Sequence, residues 1–161
     1  MPTRWLFGAR PRRTLARALV LAAGATVVFG VVLKPVRTVG VSMAPTHRDG
    51  ELLFYNALAY RGAVPARGDV VAIRFAGPGV VLVKRVVGLP GERVRIDGGV
   101  VLVDGAPLDE PYVAARHPWD LDEVRVGEDE LFVMGDNRAM PMAHHDFGRV
   151  RRDRVLGEVG W

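Results

Sequence analysis

The chain contains no cysteine. That excludes disulfides, thiolate metal sites and a cysteine nucleophile, and is compatible with an oxidising compartment. Acid is absent from residues 1–37, where Arg4, Arg10, Arg12, Arg13, Arg17, Lys34 and Arg37 stand alone. The other 124 residues carry 15 basic against 18 acidic side chains, so the formal net charge of +4 resides in one terminal tail. This pattern suits a membrane surface, not a nucleic-acid-binding domain. Aromatics make up only 7% of the chain and nowhere interleave with basic residues, which argues against RNA or DNA as a partner. Metal-ligand spacing is also missing. Adjacent His144 and His145 would point to opposite sides of an extended segment, and His47 and His117 lie elsewhere. No metal or cofactor is expected.

About half of the 161 residues are hydrophobic, enough for one domain with a buried core. Nineteen glycines and eleven prolines are scattered through the chain, which predicts many short strands and turns. Ala18–Leu33 carries no charge, and Leu15-Ala16 extend the run if Arg17 snorkels to the interface. Nineteen helical residues span about 28 Å, close to the hydrocarbon thickness of a bilayer. Lys34-Pro35 is expected to stop the helix. The five preceding arginines place the N-terminus in the cytoplasm. The expected organisation is a basic cytoplasmic tail (1–17), a single transmembrane helix (15–34) in the plasma membrane and an extracytoplasmic β domain (35–161). A cleaved signal peptide is the competing reading, since Ala23-Gly24-Ala25 resembles a cleavage site. The apolar run continues eight residues further, which favours an uncleaved anchor.

Beyond the anchor the pattern is β. Glu51–Asn56, Asp69–Phe75, Val80–Val87, Leu131–Met134 and Val155–Val159 read as strands bounded by turn residues. Glu92–Asp97 alternates apolar and charged residues, turns at Gly98-Gly99 into Val100–Val103, and Asp104-Gly105 supplies the next turn. No amphipathic helix of useful length follows residue 60, and there are no internal repeats. Residues 106–130 have the least pattern and read as loop. The fold class is mainly β, a curled or barrel-like antiparallel sheet on one N-terminal transmembrane helix.

Val41-Ser42-Met43-Ala44-Pro45-Thr46, just beyond the anchor, presents a hydroxyl from a turn. An unassisted serine is a weak nucleophile and needs a base. Val80–Val83 leads into Lys84-Arg85 between valines, and alternation should turn one of these cations inward. A desolvated lysine loses its preference for charge and can act as a base near neutral pH. Strand physics alone favours the other reading, with both cations on an exposed edge strand, where they blunt sheet-edge pairing. Gly135-Asp136-Asn137-Arg138 behind Leu131–Met134 reads, by itself, as a polar turn.

Together these stretches resemble the membrane-bound type I signal peptidases, a serine/lysine-dyad protease family. The resemblance rests on Ser42-Met43 with Pro45-Thr46, Arg67-Gly68-Asp69-Val70-Val71, Lys84 through Glu92, and Gly135-Asp136-Asn137-Arg138 with Phe147-Gly148, in that order. It implies a serine endopeptidase that cleaves signal peptides from exported precursors after small residues of Ala-x-Ala type. Ser42 would be the nucleophile and Lys84 the general base. The Ser42 amide would hold the oxyanion with a neighbour, near Gly40, while Val41, Met43, Leu82 and Val83 would line shallow pockets. Asp136, Asn137 and Arg138 would brace the site.

The chain also departs from the family. Gly40 stands where many relatives have a serine oxyanion donor, and Val41 where glycine is common. After Arg138, Pro141, Ala143 and His145 replace the usual serine, aspartate and arginine. His145 with Asp146 is the expected substitute bracing, with Met140-Pro141-Met142 packed over Lys84. A catalytically impaired, membrane-tethered peptide-binding relative is the alternative, although it needs neither Ser42 nor Lys84. A soluble self-cleaving serine/lysine regulator is opposed by the anchor and by the lack of a DNA-binding helical domain.

Overall fold

A computed structural model describes residues 11–75 and 80–160, so most of the arginine tail lies outside the described residues. Helix α1 (Pro11–Val27) continues through one π turn, Val28–Val32. Arg12–Val32 is long and apolar enough to cross a membrane, and none of its residues is buried by the domain, although Phe29 meets Phe54 edge-on at its end. At 1.5 Å per residue it covers about 30 Å. The helix then gives way directly to strand β1 (Leu33–Arg37). Lys34-Pro35 therefore does not terminate a helix, as the sequence suggested, but lies inside a strand. Proline is tolerated there because β1 is a sheet edge, where a missing N–H costs no ladder bond.

The remaining strands are β2 (Leu52–Asn56), β3 (Val70–Arg74), β4 (Val81–Gly88), β5 (Arg93–Asp97), β6 (Val100–Val103), β7 (Ala106–Pro107), β8 (Leu121–Arg125), β9 (Glu130–Met134), β10 (Gly148–Arg151) and β11 (Val155–Gly160). One antiparallel sheet has the order β1-β2-β11-β3-β4-β9-β10, and the second is β7-β6-β5-β8. The second sheet is a continuous excursion between β4 and β9. Its hairpins turn at Gly98-Gly99 and Asp104-Gly105, all four residues at positive φ, as the two-residue turn signals predicted. The expected loop at 106–130 is corrected, for it holds β7 and β8. Asp122 and Glu123 on β8 face solvent, so only weak alternation marked it.

Val87, Val94, Ile96, Trp119, Phe132 and Met134 form a core joining the two sheets. Val36, Met43, Leu53, Ala72, Val83 and Val159 form another beneath the Ser42 turn. Val71, Ile73, Val86, Leu131 and Val133 fill a third. Valine and isoleucine suit a pleated surface, and each fully buried one contributes about 1.5–3 kcal/mol. Two strands set the site. Strand β4 pairs with β3 along Val81–Arg85, but with β9 only from Arg85 onward. The β9-side edge of Val81–Lys84 is therefore open, and the outer edge of β1 is open too.

Candidate active site

The open edges of β1 and β4 lie four strands apart in the sheet order, yet they line one groove of about 670 Å³, so the sheet curls. Pro35–Gly40 lines it on one side and Val80–Val83 on the other, with Ser42, Met43 and Asp146 alongside. Met43, Leu82 and Val83 thus line the groove as expected of pocket residues. Val41 does not; its side chain is half exposed while its carbonyl is held by the turn.

Lys84 is 3% exposed, and its Nζ stands 3.0 Å from Ser42 Oγ. Burial pushes the lysine below its ordinary pKa, against a weaker upward pull from Asp146. The inward cation is therefore Lys84. Arg85 does not sit on an exposed edge either, since its Nε and Nη2 bind Asp136 at 2.9 and 2.6 Å. Of the 22 basic residues only Lys34 and Lys84 are lysines. Arginine stays protonated in proteins, so a lysine is required wherever an amine must give up its proton. That compositional signal was available in the sequence.

Three consecutive residues after β9 hold the nucleophile turn. Asp136, fully buried, accepts from Thr46 Oγ1 as well as from Arg85. The Asn137 amide donates to Ser42 O at 3.0 Å, and Asn137 Nδ2 donates to Val41 O at 3.1 Å. Gly135 packs so tightly that a Cβ there would collide with Ser42 O and the His145 ring. Both carbonyls flanking the Ser42 backbone N–H are thus pinned, and that N–H has no acceptor among the described residues. It is free to receive an oxyanion. The Gly40 N–H is not, because it donates to Asp49 Oδ1 at 2.8 Å. The expected contribution of Gly40 to the oxyanion site is corrected on that ground.

Arg138 is buried and donates through Nε to Gly135 O at 2.7 Å, while Nη2 and Nη1 reach Glu110 at 2.6 and 3.3 Å. Glu110 also accepts from Tyr112 Oη, and Arg85 stacks 4.0 Å above the Tyr112 ring. Desolvation, reinforced by Glu110, holds the Tyr112 phenol well above its ordinary pKa, so it remains a donor. Sequence reasoning missed Glu110 and Tyr112 altogether. They come from the excursion between β7 and β8, and nothing in a single sequence links that segment to residue 138.

His145 is buried, with its ring 5.0 Å from that of Trp119, and neither ring nitrogen has a hydrogen-bond partner among the described residues. It fills space beneath Gly135, and meets the back of the Ser42 turn through packing and not through a hydrogen bond. Met140 is tied to Trp119 through its carbonyl, at 2.7 Å from Nε1, and Met142 packs into the core around Trp119. Asp146 is exposed at the groove. Among the described residues no three His, Asp or Glu side chains converge as a metal site would require.

Burial, together with the nearby Lys84 and Arg138 cations, lowers the His145 pKa to about 4. The unfolded chain restores an ordinary value near 6.5, so unfolding takes up a proton between these limits. Stability should therefore fall as pH drops from about 6.5 to about 4. After allowance for solvent screening the histidine share is about 2 kcal/mol. Thermal melts of wild type and His145→Leu across that window measure it: the wild type should lose more stability, and parallel slopes would contradict the assignment.

The catalytic-looking geometry has counterparts elsewhere. Residues 12–161 match the family described as signal peptidase, peptidase S26. The chain belongs to the S26 signal peptidase family. It is a signal-peptide-cleaving serine peptidase, and with its apolar N-terminal helix it is membrane-anchored. It is 33% identical to probable signal peptidase I-2 of Synechocystis sp. over 153 residues, 91% of this chain and 69% of that one. It is 34% identical to signal peptidase I of Bacillus licheniformis over 154 residues, 88% of this chain and 82% of that one. The crystal structure of a signal peptidase I from Enterococcus faecalis V583 superposes with a TM-score of 0.50 at 27% identity, covering 60% of this chain and 97% of that one. The peptidase thus keeps the family's curled β fold.

Proposed function

We propose that Ser42 is the nucleophile of this peptidase, that Lys84 is its general base, and that the precursor lies extended in the groove between β1 and β4. The observation that carries this reading is the 3.0 Å approach of a buried Lys84 Nζ to Ser42 Oγ. Neutral Lys84 takes the hydroxyl proton as Oγ adds to the scissile carbonyl carbon. The Ser42 N–H receives the developing oxyanion. The Lys84 ammonium then protonates the departing amine, the C–N bond breaks, and an acyl-serine remains. Lys84, neutral again, deprotonates a water that hydrolyses this ester and restores Ser42.

The groove supports the substrate side of the proposal. Both walls present open strand edges, so a peptide can add as a further strand through main-chain bonds. Met43, Val36 and Val83 leave shallow apolar room near Ser42, which suits alanine-sized side chains. Because β1 follows the helix without a linker, a precursor leaving the bilayer beside α1 enters the groove directly. With arginines at the N-terminal end, the helix would be oriented with that end in the cytoplasm and the groove outside the plasma membrane. The binding-only alternative gains nothing from the unusual segment after Arg138, since buried Glu110 and Asp136 pair with Arg138 and Arg85.

The test is cleavage of a precursor with an Ala-x-Ala site by the full chain in liposomes, followed against pH. The base works deprotonated, so the rate should rise with pH and level off below the ordinary lysine value of about 10.4. A rate still climbing steeply through pH 10 would contradict a desolvated lysine.

A further inference from the structure

Among the described residues lining the groove only two carry formal charge apart from the dyad, Arg37 and Asp146, and the mechanism above uses neither. Arg37 projects from β1, with Nη1 donating to Gly50 O at 3.3 Å. Asp146 belongs to the dyad end, since its charge is felt by Lys84. Its direction follows from its neighbour. His145 has extended backbone and turns its ring inward against Trp119, so the next side chain points the opposite way, to the groove. The Asp146 carboxylate has no hydrogen-bond or ion-pair partner among the described residues, unlike buried Asp136 and Glu110.

A peptide lying in the groove displaces water from this carboxylate. A carboxylate that loses water without gaining a donor is unfavourable, and one that gains a cation is stabilised. The one cation among the described lining residues, Arg37, is held to Gly50 O and makes no ion pair with this carboxylate, and the base beside it works in its neutral form. From the placement of this unpartnered acid beside Ser42 we infer that Asp146 is a specificity residue, selecting precursors that carry an arginine or lysine close to the scissile bond. This rests on the dyad reading and names a substrate class within it. Discrimination arises on both sides: the cation is favoured, and an acidic side chain at the same position is penalised.

The experiment uses the full chain in liposomes and one precursor in which a single residue, at each of three positions before and two after the scissile bond, is Gln, Arg or Glu. The readout is the ratio of kcat/KM for Arg over Gln within each enzyme, so that losses of folding or of general activity cancel. At one or two positions wild type should favour Arg about three- to tenfold. Asp146→Glu should keep the preference, Asp146→Asn should bring the ratio to about one, and Asp146→Lys should invert it in favour of Glu. No position preferring Arg, or a preference that persists in Asp146→Asn, overturns the inference while leaving the dyad standing. Failure of wild type to cut any precursor, the Gln series included, overturns both.

Discussion

Lys84→Met is expected to reduce precursor cleavage by about 10³-fold or more while leaving the melting temperature unchanged or slightly raised. Methionine preserves the length and apolar stem of lysine and removes only the amine. In a site with 3% exposure that exchange relieves a desolvation cost instead of opening a cavity. The rate loss follows because the amine that stands 3.0 Å from Ser42 Oγ is gone. A positioned general base is worth about 10²–10⁴, and here it would serve both acylation and deacylation. Lys84→Arg should fare no better, since guanidinium cannot surrender a proton at accessible pH. Ser42→Ala should cost at least as much. The double variant should be little worse than either single one, because members of a catalytic unit fail together. The check is single-turnover cleavage of an Ala-x-Ala precursor alongside thermal melts. A Lys84→Met enzyme retaining a tenth of wild-type activity would sink the assignment.

Arg138→Met is expected to destabilise the domain by about 3–5 kcal/mol, the usual effect of stranding one member of a buried ion pair. Glu110 would remain fully buried with, among the described residues, only Tyr112 and the partly exposed Arg116 as donors. For a domain of this size the melting temperature should fall by about 10–20 °C. Replacing both partners, Arg138→Met with Glu110→Met, should recover much of that loss, since no charge is then left unpaired in the interior. Activity need not recover with stability. Arg138 Nε still fails to hold Gly135 O, and Gly135 packs against the Ser42 carbonyl. Melts and kcat for the two single variants and the double one separate these effects. If Arg138→Met alone melted within 2 °C of wild type, the pair would not contribute as argued.

Strands with a strong apolar pattern were legible. β3, β4, β6 and β9 fall within a residue or two of where valine-rich runs and turn residues place them. The strands that escaped are edges or short pieces. β1 contains Pro35 and buries only Val36 fully, β10 reads Gly-Arg-Val-Arg, and β7 has two residues, so each offers too few apolar positions for a period-two signal. Within the site, Ser42, Lys84 and the Gly135–Arg138 turn were visible because each is an oddity in its local pattern. The replacement of the family's usual bracing was not. His145 has the right position in sequence but pairs with nothing, and Glu110 has no local mark at all.

What the sequence determined by itself was therefore local. It specified an apolar N-terminal helix long enough for a bilayer, a β domain behind it, and two chemically suitable residues whose motif order implied a serine peptidase. Tertiary structure decided which cation faces the serine, because curling of the sheet brings β4 across to the Ser42 turn and leaves Arg85 to Asp136. It likewise decided that Glu110 braces Arg138 and that Asp146 faces the groove. Periodicity and propensity report on neighbours within a few residues. A lysine's loss of water and a buried charge's choice of partner depend on strands that meet only when the sheet closes.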